Sequence, residues 1–192
     1  MLVLPILVSV AIAAPPDYRQ TKEVNDCTLY LGPADNGTVP MHAECVWPEL
    51  PFEKVDRLLS KWEDHDLYFS SVTACDLVRQ DGNRTMVVQT HQSSGISDRQ
   101  INLWMEKTPL DGGGFRWRWT KANDPVTLLK GNVEAERDDG HWEIAPEGSG
   151  VKVTYHLLYA PGGSVPGFLV RWFQTSGLTA ITEDFRTYAN AH

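Results

Sequence analysis

A series of short alternating segments between residues 72 and 160 constrains the fold of this chain more than any other feature. Apolar and polar residues alternate within the segments, and turn signals such as Asp81-Gly82 and Gly148-Ser149-Gly150 separate them. Alternation with a period of two is typical of strands with one buried face, and short loops favour antiparallel pairing. The predicted strands are residues 72–80, 84–92, 99–107, 114–121, 126–137, 141–145 and 150–160. The sequence therefore predicts a meandering antiparallel sheet.

One helix is predicted before this series and one after it. Pro51 suits the first turn of a helix whose apolar residues, Phe52, Val55, Leu58, Leu59 and Trp62, recur at helical spacing. The last helix is predicted to begin near Ser164, as its N-cap, and to run for about 26 residues, roughly 39 Å. Its broad apolar face contains Leu169, Trp172, Phe173, Ser176, Ala180, Ile181, Phe185 and Tyr188. A long C-terminal helix lying across a curved sheet gives an α+β fold.

A hairpin is predicted around Asn36, since Asp35-Asn36-Gly37 forms a good three-residue loop with Gly37 at the left-handed position. Centring the hairpin there places Cys27 opposite Cys45. The same register puts Leu29 opposite Ala43 and Leu31 opposite Met41, so that one face is apolar. A disulfide between Cys27 and Cys45 is the preferred interpretation, and two free thiols in the core are the alternative.

Cys75 is then left without a partner. In a second hairpin, turning at Asp81-Gly82, it shares a face with Leu77, Met86 and Val88. This position favours a small core residue over a reactive nucleophile.

The first thirteen residues, MLVLPILVSVAIA, are apolar and uncharged, and the run is too short to span a membrane as a helix. Ala11-Ile12-Ala13 matches a small-x-small cleavage site, so residues 1–13 are interpreted as a signal peptide, although the usual basic segment is missing. The alternative is an uncleaved tail associated with a membrane. Residues 14–37 would form an N-terminal extension with the first hairpin strand, and residues 38–192 a ligand-binding domain. We therefore expect a secreted or periplasmic protein.

The charge of the chain argues against nucleic acid as a partner. The net charge is −8, and the Lys and Arg residues are scattered rather than clustered. The acidic clusters, Glu63-Asp64-His65-Asp66 and residues 134–139, are interpreted as solvated surface. Asn36-Gly37-Thr38 and Asn83-Arg84-Thr85 match the glycosylation sequon, but turns favour Asn in any case.

The order of these elements resembles the START and birch-pollen-allergen superfamily, in which a sheet wraps around the C-terminal helix in a helix-grip fold. Residues 51–59, with Trp62 and residues 68–72, look like the first helix of that superfamily and the bend after it. Residues 153–155, leading through Pro161-Gly162-Gly163 into the last helix, are similar to its polyketide cyclase/dehydrase and coenzyme-Q-binding branch. The resemblance covers about residues 38–190. A proline common at the bend is absent from Asp64-His65-Asp66.

The resemblance implies a deep apolar cavity between sheet and helix that binds a lipid, a quinone, a polyketide or a similar hydrophobic molecule. The residues expected to line it are Trp104, Trp117, Trp119, Tyr155, Phe168, Trp172, Phe173, Ser176 and Gly177. Small residues at 176 and 177 could make space for a ligand, or could only allow close packing against a tryptophan. A monomer that contacts membranes transiently would suit a carrier of this kind.

The sequence offers no clear catalytic motif. Gly162-Gly163-Ser164-Val165-Pro166 falls one residue short of the G-x-S-x-G elbow, and no zinc motif or phosphate loop occurs, so no metal or cofactor is expected. We therefore expect a carrier of a hydrophobic ligand, with a cyclase or dehydratase enzyme as the alternative. The enzyme would need an acid or base in the cavity. Tyr155, His91 and Glu134 are the candidates, and strand parity places only Tyr155 on the clearly apolar face.

Processing of the N-terminus gives a first prediction. Because cleavage is expected after Ala13, exported protein should begin at Ala14. N-terminal sequencing of protein recovered from outside the cytoplasm checks this. A soluble cytosolic product that retains Met1 would contradict it.

Overall fold

The computed structural model describes residues 14–34, 38–92, 95–165 and 176–192, which form a curved sheet with a helix across it. The strands are β1 (Arg19–Val24), β2 (Cys27–Leu31), β3 (Met41–Trp47), β4 (Val72–Asp81), β5 (Arg84–His91), β6 (Arg99–Pro109), β7 (Phe115–Lys121), β8 (Val133–Glu134), β9 (Arg137–Glu147) and β10 (Gly150–Ala160). The helices are α1 (Phe52–Leu59), α2 (His65–Tyr68) and α3 (Leu178–Ala191), with a 3-10 turn at Trp62–Asp64.

The strands of the described ranges lie in the order β1-β2-β3-β10-β9-β7-β6-β5-β4, and β8 pairs with β6. All neighbouring pairs are antiparallel except β6 with β8. The connection from β3 to β4 carries α1 and α2, and α3 packs on the inner face of the sheet. The predicted helix-grip α+β architecture is confirmed.

The first predicted hairpin has the register that its sequence implies. Cys27 pairs with Cys45, and Leu29 with Ala43. The two cysteines are joined by a disulfide, and both are buried. Residues 35–37, the predicted loop, lie outside the described residues. The covalent link therefore fastens β2 to β3 at the end of the hairpin farthest from its loop.

The strand β1 was not expected from the sequence. Its residues are mostly exposed, so that no alternating apolar pattern marks it. It is joined to β2 by Asn25 and Asp26, which have φ angles of 50° and 61°. Two consecutive positive φ angles are typical of the tight hairpin turns that suit twisted strands, and Asn and Asp tolerate them best after glycine.

The prediction of a strand over residues 126–137 is wrong. Only Val133–Glu134 pairs there, in parallel with β6, and the residues before it form a loop. Hydrogen bonds from two side chains of β6 hold this loop. The amide of Gln100 donates to Thr127 O and accepts from Leu129 N, and the amide of Asn102 donates to Pro125 O. The strand β9 then runs unbroken through Asp138-Asp139-Gly140, the residues that separate the predicted strands 126–137 and 141–145.

The register of the second hairpin also differs from the prediction. Cys75 pairs with Gln89 and Leu77 with Val87, and the register shifts between Leu77 and Arg79. This irregularity lies in β4, the edge strand, and Leu77 is 59% exposed. The predicted shared apolar face with Met86 and Val88 is therefore not formed. Cys75 itself is a buried free thiol, and burial raises its pKa to about 12, so it behaves as a core residue rather than a nucleophile.

The helix α3 is held against the sheet by Phe185, which is fully buried. Its ring centroid lies 6.2 Å from that of Trp47, 6.1 Å from that of Phe69 and 5.4 Å from that of Trp142. The buried face of α3 contains Leu178, Thr182, Phe185 and Ala189, whereas Ala180, predicted on this face, is exposed. In the described ranges, no helix is long and apolar enough to cross a membrane.

A row of histidines crosses the outer face of the sheet. His42 on β3 pairs with His156 on β10, which pairs with His141 on β9. Their ring centroids are 6.1 Å and 5.2 Å apart. Burial lowers the pKa of all three, to about 4 for His156 and about 3 for His141. Nowhere among the described side chains do three or more His, Cys, Asp or Glu residues come together in a way that could hold a metal ion.

The disulfide should contribute substantially to stability. Its cysteines are 18 residues apart, and closing a loop of that size stabilises a protein by about 3 kcal/mol. The double variant Cys27→Ala/Cys45→Ala should lose about this much free energy of unfolding, measured by urea titration. Its stability should no longer respond to dithiothreitol, whereas the control Cys75→Ala should respond as the wild type does. Equal responses in all three proteins would contradict the prediction.

Candidate functional site

A cavity lies between the inner face of the sheet, α2 and the start of α3. Its volume is about 90 Å³. Since a buried water needs roughly 10–15 Å³ by a comparable measure, the cavity holds a small molecule or one end of a larger one. Its apolar described lining consists of Met41, Phe69, Val72, Leu103, Met105, Trp119, Trp142, Leu157, Gly177 and Ile181. Its polar described lining consists of His65, Ser71, Gln89, His91, Asp138, Tyr155 and Tyr159.

Large rings form one wall of this cavity. The ring centroid of Tyr155 lies 4.4 Å from that of Trp142 and 5.7 Å from that of Trp119. Phe69 stacks on Trp142, with centroids 6.1 Å apart. These residues come from β7, β9, β10 and the segment after α2, so that the wall depends on the order of strands in the sheet. Burial raises the pKa of Tyr155 well above its ordinary value, and its hydroxyl stays protonated.

The absence of a side chain at Gly140 allows Trp119 to lie over β9. A Cβ at this glycine would collide with the indole ring and with the carbonyl oxygen of His156. From this position the Trp119 Nε1–H donates a hydrogen bond of 2.7 Å to Asp138 Oδ1. Gly140 therefore places both a tryptophan and a buried carboxyl group at the cavity.

The side-chain amide of Gln89 connects three neighbouring groups. Its Nε2 donates to His65 Nδ1 at 3.2 Å and to Cys75 Sγ at 3.3 Å, and its Oε1 accepts from His91 Nε2 at 3.1 Å. The Cys75 thiol in turn donates to Trp62 O at 3.0 Å. Each hydrogen of the amide is used once, and because the thiol hydrogen is given to Trp62 O, the sulfur accepts from the amide nitrogen of Gln89.

This network determines where His65 carries its proton. Because Nδ1 accepts a hydrogen bond from Gln89, the neutral ring is protonated at Nε2. His65 is 5% exposed, and its Nε2 has no hydrogen-bond partner among the described residues. A buried donor left without a partner costs about 1–3 kcal/mol. Burial lowers the pKa of this histidine to about 4, so the ring is neutral at pH 7.

His91 and Asp138 form a second polar pair in the cavity. His91 Nδ1 lies 3.8 Å from Asp138 Oδ2, which is too long for a direct hydrogen bond. Burial lowers the pKa of His91 to about 4 and raises the pKa of Asp138 to about 7. Near pH 7 the pair therefore consists of a neutral imidazole and a carboxyl group that holds its proton far more readily than an exposed one does.

The structure brings three of the predicted lining residues to the cavity. These are Trp119, Tyr155 and Gly177. Trp117 is buried, but it packs at the end of α1, with its Nε1 3.4 Å from Ser60 Oγ. Phe168, Trp172 and Phe173 lie outside the described residues.

Two further predicted lining residues, besides Trp117, lie away from the cavity. Trp104 is on the outer face of β6, under the guanidinium groups of Arg79 and Arg84 at 5.1 and 4.7 Å from its ring centroid. Its neighbours Leu103 and Met105 point inward instead, because successive strand residues face opposite sides. Ser176 is exposed, so that only Gly177 of the predicted gap in the helix adjoins the cavity.

Of the candidate catalytic residues, His91 and Tyr155 line the cavity and Glu134 does not. Glu134 is exposed, and its Oε1 lies 2.8 Å from Lys121 Nζ. His65, Gln89 and Asp138 were missed. His65 and Asp138 lie in acidic stretches that resemble solvated surface. For Gln89 the one available signal was its position two residues before His91 in β5, which puts both side chains on the same face of the strand.

Comparison with known proteins shows the fold. No family model matches the sequence. An uncharacterized protein of Pseudomonas aeruginosa is 37% identical over 79 residues, which are 40% of this chain and 37% of that protein. The matched segment thus spans little more than a third of the length of that relative.

Solved structures resemble the chain over most of its length. A STAR-related lipid transfer protein fragment from Xanthomonas axonopodis superposes with a TM-score of 0.81 at 19% identity, covering 91% of this chain and 99% of that one. Human StAR-related lipid transfer protein 5 superposes with a TM-score of 0.81 at 13% identity, covering 93% of this chain and 88% of that one. The di-domain ARO/CYC protein BexL of the BE-7585A biosynthetic pathway superposes with a TM-score of 0.55 at 13% identity, covering 81% of this chain and 50% of that one. The START-like fold expected from the sequence is confirmed.

The buried histidines predict a loss of stability in mild acid. His42, His65, His91, His141 and His156 have lowered pKa values in the folded protein, so below about pH 6.5 the unfolded chain binds protons that the folded chain does not. Asp138 acts in the opposite direction. Its pKa is raised to about 7 from an ordinary value of 3.8, so between these two pH values the folded state holds a proton that the unfolded chain has released. Because five histidines destabilise the folded state in acid and one carboxyl group stabilises it, the free energy of unfolding should fall as the pH falls.

Urea titrations between about pH 7 and about pH 5 at constant ionic strength measure this effect. The free energy of unfolding should fall over this range, and the fall should be steeper in Asp138→Asn, which removes the opposing proton while keeping an acceptor for Trp119. A constant or rising stability in the wild type would show that the histidines are accessible to protons in the folded state.

Proposed function

We propose that this chain is an exported protein that binds a hydrophobic small molecule, such as a lipid or a quinone, between its sheet and its C-terminal helix. The observation that carries the proposal is the cavity beside Gly177, walled by Trp119, Trp142 and Tyr155. Concave sites with mostly apolar walls and a few convergent polar groups are typical of small-molecule binding. The fold that the chain shares with proteins named as lipid transfer proteins supports the same function.

Export is supported by two independent features of the chain. The first thirteen residues are apolar and uncharged, as in a signal peptide. The disulfide between Cys27 and Cys45 is of a kind that persists in oxidising compartments and is rare in a reducing cytosol. A protein in such a compartment could shield a hydrophobic molecule from water as a monomer that touches membranes transiently.

The size of the cavity limits how a long ligand would bind. At about 90 Å³ the cavity is smaller than the ~300–1,000 Å³ of typical drug-sized sites. A whole lipid is therefore too large for the space that the described residues enclose. A smaller molecule, or the end group of a longer one, fits that space.

The two adjacent positions 176 and 177 provide a test with its own control. Because Gly177 lines the cavity and Ser176 is exposed, we expect leucine at position 177, but not at position 176, to take up cavity space. After incubation with a total lipid extract, native mass spectrometry should show a bound species on the wild type and on Ser176→Leu, and much less of it on Gly177→Leu. The melting temperature of Gly177→Leu should change little, because leucine also gains about 1 kcal/mol of helix propensity over glycine.

Two outcomes would contradict the proposal. If Gly177→Leu keeps the bound species at the level of Ser176→Leu, the ligand lies elsewhere. If Gly177→Leu is destabilised by the roughly 1–3 kcal/mol that overpacking costs, the space is already filled by protein.

A cyclase or dehydratase activity is the second candidate, and the His91–Asp138 pair favours it. A group whose pKa lies near 7 in a buried cavity is suited to general acid–base catalysis. In a dehydration, neutral His91 would take the proton next to the carbonyl of a β-hydroxy ketone. Protonated Asp138 would protonate the departing hydroxyl group, and the products would be a conjugated enone and water.

The aldol adduct of benzaldehyde and acetone tests this activity, because its enone product absorbs in the near ultraviolet. If the chain has this activity, the wild type accelerates the loss of water, and His91→Phe and Asp138→Asn each lose the acceleration while still binding the adduct. A wild-type rate equal to that of buffer would exclude this reaction and leave the binding function.

A further inference from the structure

We propose that the loop before β8, residues 125–133, docks this protein on a lipid surface that carries anionic head groups. These residues are called the apolar loop below. The inference rests on the proposed function, which includes transient contact with membranes, and it names the residues that make this contact.

Two adjacent leucines give the apolar loop its exposed hydrophobic surface. Leu128 and Leu129 are 44% and 61% exposed. Pro125 is exposed as well, and Val126 is half-buried. Single apolar residues are normal on a protein surface, whereas a contiguous group of them marks a contact with an apolar partner. The loop is therefore a candidate for such a contact.

The apolar loop is held in this position by hydrogen bonds to its backbone. The amide of Gln100, which is 5% exposed, donates to Thr127 O at 3.1 Å and accepts from Leu129 N at 2.9 Å. The N–H of Asn132 donates to Leu129 O at 3.0 Å. Because groups of the protein satisfy these backbone atoms, the loop enters a water-poor environment without the penalty of free N–H and C=O groups.

The charges of the apolar loop fit an anionic surface. The chain has 25 Asp and Glu against 17 Lys and Arg, yet the loop contains one lysine, Lys130, and no acidic residue. The acidic residues that flank the loop are paired. Asp124 Oδ1 lies 3.0 Å from Arg79 Nη2. Glu134 Oε1 lies 2.8 Å from Lys121 Nζ. A cation beside exposed leucines attracts the loop to anionic head groups, whereas the net charge of −8 repels the chain as a whole.

The small extent of the apolar loop favours a lipid surface over a second protein. A stable protein–protein interface buries about 800 Å² and roughly 20–30 residues on each partner, and the loop is less than half as long as that. Insertion among lipids needs no matching surface. Two partly exposed leucines and one lysine are enough there for weak, reversible binding.

The strand pairing places the apolar loop at the end of the sheet where part of the cavity lining lies. Val133, the last residue of the loop, pairs with Arg99 on β6. Arg99 pairs in turn with His91 on β5, which lines the cavity. Docking through the loop therefore brings this end of the sheet to the lipid surface, which is the source of a hydrophobic ligand.

Vesicle binding by two matched double variants and one single variant tests the inference. Leu128→Ser/Leu129→Ser removes the exposed leucines of the loop. Its control, Leu77→Ser/Val78→Ser, removes a similarly exposed pair, 59% and 49%, from the edge strand β4. Lys130→Gln removes only the charge. Partition coefficients are measured by flotation with vesicles of phosphatidylcholine alone and with vesicles of phosphatidylcholine mixed with phosphatidylglycerol.

The wild type should bind the mixed vesicles, and the control should bind both kinds as the wild type does. Leu128→Ser/Leu129→Ser should bind the mixed vesicles roughly 10- to 100-fold more weakly, because each leucine loses about half of the transfer free energy of a full side chain. Lys130→Gln should bind the mixed vesicles roughly 5-fold more weakly. It should bind pure phosphatidylcholine unchanged, since its charge matters only at an anionic surface.

Three outcomes would overturn the inference. A wild type that binds neither kind of vesicle has no docking surface. Equal losses in the two double variants would show that any exposed apolar pair serves. In sedimentation without vesicles, a dimer that Leu128→Ser/Leu129→Ser dissociates would show that a second copy of the chain covers the loop.

The variant Gly177→Leu separates docking from ligand binding in the cavity. It should bind vesicles as the wild type does, because Gly177 lies at the start of α3 and not in the apolar loop. Loss of vesicle binding in Gly177→Leu with an unchanged melting temperature would overturn the inference. If the wild type takes up nothing from the lipid extract but shows the expected vesicle pattern, the binding function fails and the docking surface stands.

A measurement on the wild type alone covers the case in which the variants do not fold. The leucine methyl groups are isotope-labelled, and the mixed vesicles contain a nitroxide-labelled lipid. The methyl signals of Leu128 and Leu129 should then broaden much more than those of Leu77, which is exposed elsewhere on the sheet. Equal broadening of all three would overturn the inference.

Discussion

The packing of Phe185 against Trp47, Phe69 and Trp142 is the contact on which the rest of the structure depends. Four large rings meet there and set the distance between α3 and the sheet. Toward the start of the helix, Gly177 and Ile181 face the same sheet with much less volume. The cavity therefore lies beside the part of α3 that precedes this cluster of rings.

The polar groups of the cavity are compatible with this apolar setting because burial makes most of them neutral. It lowers the pKa of His65 and His91 and raises that of Asp138, so that each group moves toward its uncharged form. The Gln89 amide then satisfies both histidines without introducing a charge. A wall of neutral donors and acceptors can orient a ligand by its oxygen without the desolvation penalty of an ion pair.

The sequence predicts the architecture better than the site because strand periodicity is a local property and a cavity is not. The alternation of Val151, Val153 and Tyr155 predicts an inward face that the structure confirms. In β6, by contrast, Leu103-Trp104-Met105 is apolar on both faces, and no period identifies Trp104 as outward. His65 and Asp138 are buried among acidic neighbours only because distant elements cover them. In the sequence Gly140 resembles a turn residue. Only the fold shows that the ring of Trp119, twenty-one positions earlier, lies where a side chain at position 140 would be.

The same wall bears on the choice between a carrier and an enzyme. The dehydration requires a base in the cavity that removes a proton at neutral pH. His91, whose pKa is about 4, is a weak base at neutral pH, and its Nε2–H is already committed to Gln89. Proton abstraction by such a group is slow compared with that by a base whose pKa lies near 7. These properties of His91 support the binding function proposed above over the dehydration.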